Sequence, residues 1–286
     1  MRNAKIFAAI GAALTAATYK GAAFAQDSLQ GLATIGKPVD GAIGFQPAAT
    51  VVAHDQQWLD GMVIWIVGVI TVFVVLLLLW VLVRYNHRVN KEAASFTHHS
   101  AIEVVWTLAP ILILIFIGAF SLPTLFKQVE VPKADLVVKA TGNQWYWSYE
   151  YPDSEFEFDS FMLARDELEA SGYAPDEYLL AVDEPLVVPV NKTVVVQTTG
   201  ADVIHSWAVP AFAVKQDAVP GRLAETWFRA EKEGIYFGQC SELCGKDHSY
   251  MPITVKVVSQ EVFDAWLKGA ITEFAGKPAS VTVASN

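Results

Sequence analysis

Cys240-Ser-Glu-Leu-Cys244-Gly-Lys-Asp-His248-Ser-Tyr-Met251 sets two thiols, an imidazole and a thioether on one short tether. Gly234-Ile-Tyr-Phe-Gly-Gln239 precedes it, and Pro252-Ile-Thr-Val-Lys-Val-Val258 follows it. Both flanks have the β-type composition of strands, and the second alternates as a half-buried strand does. The stretch therefore reads as a loop joining two strands, with its donor atoms gathered at one end of a β structure.

Soft sulfur ligands favour Cu(I), and imidazole suits copper in both redox states. Single-copper electron-transfer sites use one Cys, one weak Met and His ligands. Two Cys at i and i+4 instead suggest two thiolates bridging two copper ions, so a second imidazole is needed. The segment Gly200-Ala-Asp-Val-Ile-His205-Ser-Trp207 supplies one. Two Cu(I) ions and two thiolates sum to zero charge. Removing one electron leaves a single charge spread over both metals, which keeps rearrangement small. Other readings of the same donors are a disulfide, the usual fate of two Cys in an exported protein, and a Cys2His2 zinc site. Met251 argues against zinc, which has little use for a thioether.

Outward from the loop, short β-type runs separated by turn residues fill 131–258: Leu136–Ala140, Gln144–Tyr149, Leu186–Val188, Thr193–Gln197 and Ala224–Phe228. This pattern predicts an antiparallel sandwich or barrel. The acidic segment Asp166 to Tyr178 interrupts it as an insertion with room for a short helix. Trp145-Tyr-Trp147-Ser-Tyr149-Glu-Tyr151 alternates aromatics, half of them suited to a core and the rest to an outer face. After Val258, Ser259 is placed to cap a helix whose Val262, Phe263, Trp266 and Leu267 share one side. The tail beyond Gly276 is small and polar.

The first half of the chain has a different character. The 286 residues are 53% hydrophobic, with a mean hydropathy of +0.34. Gly61 to Val83 and Val104 to Phe126 contain no charged residue, and each is long enough to cross a bilayer core of about 30 Å as a helix. Trp58, Tyr85, Arg84 and Arg88 flank the first run as interface anchors do. Pro110 falls within the second and is positioned to kink it. The basic excess in the connecting loop marks it as cytoplasmic. Arg2, Lys5, the apolar run Ile6–Leu14 and Ala23-Phe-Ala25 have the form of a signal peptide cleaved after Ala25. Both mature termini then lie outside. Residues 26–57, punctuated by Gly and Pro, read as an extended lead without a core of its own, with His54 a surface or interface residue.

Twenty basic residues against 30 acidic give a net charge of -10. That balance disfavours nucleic acid and suits docking of a basic protein. No Cys-x-x-Cys-His is present, so no c-type haem is fused to the chain. Taken alone, Glu103 is an interfacial carboxylate favoured by a helix N-terminus. His98 and His99 are solvated loop residues, with His99 placed to assist proton collection. Glu150, Asp159, Asp183 and Asp202 are, singly, surface charges.

The Cys-Ser-Glu-Leu-Cys-Gly-x-x-His-x-x-Met pattern, Asp-Val-Ile-His-Ser-Trp, Gly142-Asn-Gln-Trp-Tyr-Trp-Ser-Tyr-Glu-Tyr151 and the two apolar spans together resemble subunit II of the haem-copper cytochrome c oxidases, of the bacterial aa3 type. The resemblance extends from about Asp55 to Val258. It implies a two-helix transmembrane hairpin followed by an all-β, cupredoxin-like Greek-key barrel facing the periplasm from a bacterial inner membrane. It also implies a dinuclear copper A centre. His205 and Met251 would serve one copper, His248 and the Glu242 carbonyl the other, with Cys240 and Cys244 bridging both. The Glu242 side chain would be a ligand to Mg2+ shared with subunit I, whose oxygen preference it meets. Trp145 would be the point where electrons enter from cytochrome c. Glu150, Asp159, Asp183 and Asp202 would attract that donor, and Glu103 would stand at the entrance of a proton channel through subunit I. Partners would be subunit I, which alone holds haem, subunit III, cytochrome c and membrane lipid.

Two other functions compete. Nitrous-oxide-reductase-like enzymes share the copper motif but are soluble and much longer. A membrane-anchored copper carrier would hold its metal loosely and would not need the Trp145 region. Quinol-oxidizing relatives lack the Cys and His ligands found here.

Overall fold

A computed structural model describes Leu29 and residues 31–275. The signal sequence expected at 1–25 and the tail beyond residue 275 lie outside the described residues. Two compact units divide the chain: residues 54–129, and a second unit formed by the residues on either side of them.

In the first unit, helix α1 runs Val51–Arg84 and helix α2 runs Ser100–Val129. Both are apolar on every side, and the most apolar window of each has no residue buried within the chain. Trp65, Phe73, Trp80 and Ile115 are all exposed. A helix that is hydrophobic all round is stable only inside a large core or in lipid. Asp55, at the start of α1, pairs with Lys127, at the end of α2. The rings of Trp58 and Phe120 meet at 5.5 Å. These contacts fix the helices as an antiparallel hairpin. Pro110 and Pro123 both lie inside α2, which continues through them. His54 is exposed.

The second unit is all-β apart from short 3-10 turns and one C-terminal helix. Its strands are β1 (Thr34–Gly36), β2 (Leu136–Asn143), β3 (Tyr146–Tyr151), β4 (Phe156–Ser160), β5 (Leu186–Pro189), β6 (Val194–Gly200), β7 (His205–Val209), β8 (Val214–Ala218), β9 (Ala224–Phe228), β10 (Gly234–Gln239) and β11 (Pro252–Val258). One sheet has the order β1-β10-β11-β5, a second the order β4-β3-β2-β6-β9, and β7-β8 form a ribbon. The ribbon packs between them: β7 lies against β10 and β2, and β8 against β9. The pairing does not close all the way round, so the cupredoxin-like barrel is built of separate facing sheets. Nor is it purely antiparallel. β2 pairs with β6, β11 with β5, and β1 with β10 in parallel, because long crossovers return the chain to strands laid down much earlier.

Alternation dictates the core. In β3, Trp147, Tyr149 and Tyr151 face inward, and Tyr146, Ser148 and Glu150 face outward. The Tyr151 hydroxyl donates to the Val187 carbonyl at 2.7 Å, joining the two sheets. Helix α3 (Gln260–Phe274) is capped by the Ser259 side chain, which accepts from Val262 N. It lays Phe263, Trp266, Leu267 and Phe274 on this core. The lead is more than a spacer. β1 adds a strand beside β10, and Ala49 N donates to the Ala211 carbonyl at 2.9 Å. Residues 162–181 turn twice and fold over the outer face of the first sheet. There Leu163, Leu168, Tyr173 and Ala181 cover Ile235 and Phe237 as a second small core.

Candidate metal centre

β10 and β11 are joined in register from Gly234↔Val257 to Gln239↔Pro252. The loop Cys240–Met251 therefore begins and ends at adjacent points. β7 starts beside it with His205. Six donors converge there. The Cys240 and Cys244 sulfurs are 3.9 Å apart, too far for a disulfide bond, and both cysteines are free. His205 Nδ1 lies 3.9 Å from the Cys240 sulfur, and His248 Nδ1 lies 3.5 Å from that of Cys244. The Met251 sulfur is 3.6 Å from Cys244, and the Glu242 carbonyl oxygen is 3.4 Å from Cys240. His205, Cys240, Cys244 and Met251 are buried, while His248 is half-buried.

The donor set fits copper on its own chemistry. Metal–sulfur bonds of about 2.3 Å let one ion bridge sulfurs up to about 4.6 Å apart, and the observed 3.9 Å falls inside that reach. The thiols behave as an unequal pair. Burial opposes ionisation of Cys240, but hydrogen bonding to His205 and to the loop backbone prevails and brings it down to about 7. Burial and the neighbouring Cys240 sulfur push Cys244 up to about 12. Without a cation, the second thiolate is therefore unfavourable beside the first. Metal binding relieves this conflict by releasing protons.

A further ring of groups holds the ligands in place. Asp202 Oδ1 and His205 Nε2 lie 2.8 Å apart, which leaves Nδ1 to face the sulfurs. Such partners orient a ligating imidazole and strengthen it. Burial works against a charged His205, yet its hydrogen bonds to Cys240 and Asp202 outweigh burial and raise its pKa. Trp147 Nε1 donates to the Met251 carbonyl at 3.2 Å, and its ring meets the His205 ring edge-on at 6.1 Å. Gln144 Nε2 and Trp145 Nε1 both donate to the Cys244 carbonyl, at 2.7 and 3.2 Å. At Gly142 an added Cβ would sit 2.7 Å from the His205 ring, so only glycine fits there. Gly245, at φ +127°, receives the Trp145 ring. Gln144, Trp147 and Gly142 were not singled out from sequence as site residues. Their signal was their place in the same aromatic run as Trp145.

The other candidate residues are not part of this cluster. The Glu242 side chain is exposed. Glu150 pairs with Lys139 at 2.8 Å, and Asp159 accepts from Ser148 at 2.6 Å. The two carboxylates share the outer face of the second sheet, where Glu150 opposes Glu157 and Asp159 opposes Ser148. Asp183 Oδ1 accepts from Phe161 N and Glu184 N, each at 2.7 Å. Asp202 also accepts from Gln144 N at 2.8 Å, so its carboxylate serves the cluster as well as the surface. Glu103, in the first turn of α2, accepts from His99 N at 3.1 Å in the manner of a helix cap.

Comparison with known proteins assigns the family. The model for the periplasmic domain of cytochrome c oxidase subunit II matches residues 136–258, and that for its transmembrane domain matches 38–124. Cytochrome c oxidase subunit 2 of Cereibacter sphaeroides is 56% identical over 274 residues, covering 91% of this chain and 90% of that one. The probable cytochrome c oxidase subunit 2 of Rickettsia bellii is 44% identical, covering 81% of this chain and 85% of that one. A solved structure, the periplasmic domain of subunit II of the Bradyrhizobium japonicum cytochrome oxidase, is 58% identical, with a TM-score of 0.47. It covers 51% of this chain and 100% of that one. With both halves of its architecture matched, the chain belongs to the cytochrome c oxidase subunit II family, as a membrane-embedded, copper-binding, electron-transferring subunit of a haem-copper oxidoreductase complex.

Proposed function

We propose that His205, Cys240, Cys244, His248, Met251 and the carbonyl of Glu242 hold two copper ions, and that this chain relays electrons from cytochrome c to haem in subunit I. The observation that carries this reading is the pairing of donors. Two sulfurs at bridging distance each have their own imidazole, one on β7 and one in the loop. When bound, the copper pair supplies reversible one-electron chemistry. The chain supplies rigidity: ligands fixed by two sheets and by the Asp202, Trp147, Gln144 and Trp145 contacts rearrange little when the charge changes. That is the preorganisation electron transfer needs.

Electrons enter, in this reading, at Trp145. Its indole is half-buried and packed on Gly245, and its Nε1 donates to the Cys244 carbonyl, one residue's backbone away from a bridging sulfur. Glu150, Asp159, Asp183 and Asp202 attract the basic rim of cytochrome c and raise its association rate. The exposed Glu242 carboxylate is free to turn to Mg2+ at the boundary with subunit I, which supplies the remaining ligands. Glu103 collects protons for subunit I. Both termini and the copper domain face the periplasm of a bacterial inner membrane, after cleavage following Ala25. Subunit III completes the complex.

The test is to load the full-length chain with copper and record absorption and electron paramagnetic resonance spectra. A purple species with one unpaired electron shared over two coppers is expected. A single-copper signal, or a colourless zinc protein, would overturn the assignment.

A further inference from the structure

β11 presents two faces. Ile253, Val255 and Val257 belong to the main core. Thr254 and Lys256 point the other way, beneath residues 162–181. Thr254 satisfies its hydroxyl by donating to the Leu180 carbonyl at 3.0 Å. Lys256 makes no hydrogen bond among the described residues; the Tyr173 ring and the charge of Glu184 ease its burial only in part. It is only 7% exposed, and its ammonium stands 5.1 Å from the centre of the Tyr173 ring. Among the described residues no carboxylate forms an ion pair with it. A buried ammonium without a close counter-ion is costly, and the more distant charge of Glu184 offsets only part of that cost.

Beside Lys256 opens a cavity of about 250 Å3, between the end of the 162–185 segment and helix α3, smaller than a drug-sized site and suited to a ligand of a few heavy atoms. Trp266 and Tyr173 line it, and so do three acids: Asp183, Glu184 and Glu273. Asp183 already accepts two backbone N–H groups. Glu184 and Glu273 make no side-chain hydrogen bond among the described residues. Burial, and then the nearby charges of Asp183 and Glu273, outweigh the attraction of Lys256 and push Glu184 up to about 7; burial outweighs the attraction of Glu184 and pushes Lys256 down to about 8.

The pattern excludes simple ligands. A lone anion would meet three carboxylates, and a lone cation would leave Lys256 unpaired. A metal ion is disfavoured because the acids do not converge. Among the described residues, metal-ligating side-chain atoms of three or more His, Cys, Asp or Glu residues gather only at His205, Cys240 and Cys244. We propose that this cavity binds a small zwitterion bearing one anionic oxygen group and one primary ammonium, chemistry shared by free amino acids and phosphoethanolamine. The anionic group lies on Lys256, the ammonium between Glu184 and Glu273, and the carbon skeleton on Trp266.

Saturation-transfer NMR and calorimetry on the full-length chain in detergent test this. The probes are glycine, leucine and phosphoethanolamine, with acetate and methylammonium as the two halves. The zwitterions should bind roughly tenfold or more tightly than either half, as two charge-assisted contacts predict. Lys256→Met should remove that gain. Ala170→Trp, at the exposed rim, should block binding while leaving Lys256 untouched, and decides the matter if Lys256→Met does not fold. Competition by vesicles containing phosphatidylethanolamine, but not by free leucine or glycine, identifies a lipid headgroup as the source. Competition by the free amino acids identifies a soluble ligand. Failure of every probe to bind, equal binding by the halves, or binding unchanged in both variants overturns the proposal.

Discussion

The copper loop and the membrane hairpin are opposite kinds of region. In the loop, three of the six donor residues are held by partners within the chain. Asp202 stands behind His205, Trp147 behind Met251, and Gln144 and Trp145 behind Cys244. In the hairpin, α2 has no buried residue, and its membrane-length apolar surface is open. Among the described residues, the Glu103 side chain finds only the backbone of His99. One region is finished by its own sequence, and the other waits for lipid and neighbouring subunits. A single chain therefore shows why the loop binds what it binds, whereas the hairpin's partners must be inferred.

Substitutions can break that contrast. The largest effect is expected from Cys244→Ser, which removes one of the two sulfurs proposed to bridge the coppers. Paired-copper spectra should vanish and oxidase turnover fall by two or more orders of magnitude, while circular dichroism stays unchanged. Retained turnover would show that the loop is not self-sufficient. Asp202→Asn sharpens the point by weakening the group that stands behind His205 and also accepts from Gln144 N. Copper affinity, measured by competition with a chelator, should drop about 10- to 100-fold. An effect confined to cytochrome c association would make Asp202 a docking residue alone. Trp145→Phe keeps the ring's packing but loses the bond to the Cys244 carbonyl. Oxidation of cytochrome c should slow roughly tenfold, equivalent to about 1.4 kcal/mol of barrier, with copper content intact. Lost copper would recast Trp145 as packing.

Smaller effects are expected where the chain is unfinished. Glu103→Ala should slow turnover severalfold in the assembled oxidase and leave the copper spectrum unaltered. Unchanged turnover would reduce Glu103 to the helix cap seen here. Glu150→Gln should weaken the rate of cytochrome c association about twofold at low salt and not at all at high salt, because surface charges are screened over about a Debye length.

Much of this was legible beforehand, for physical reasons. The strands around the loop, Gly234–Gln239 and Pro252–Val258, coincide with the observed β10 and β11 because their composition and turn boundaries leave little choice. Ser259 announced a helix start and caps one. The donors that the structure gathers were readable because soft donors crowded on one tether have few other uses. What escaped depends on tertiary contact. β4 and β8, Phe-Glu-Phe-Asp-Ser and Val-Lys-Gln-Asp-Ala, are short and half charged, and only pairing with β3 and β7 makes them strands. Gly200–Trp207 reads as a ligand motif, yet from His205 it runs into a fully buried strand, His205–Val209. The lead looked coreless because β1 borrows its hydrogen bonds from β10. The parallel pairings depend on crossovers that no local pattern encodes.

Of the proposed ligand side chains, three are sealed and Met251 with them, while the His248 imidazole alone reaches the surface. Among the ligand side chains, that ring is the one an ion delivered to the finished fold can meet from solvent. The same edge is then the natural loading point for the metal and the least protected part of the cluster.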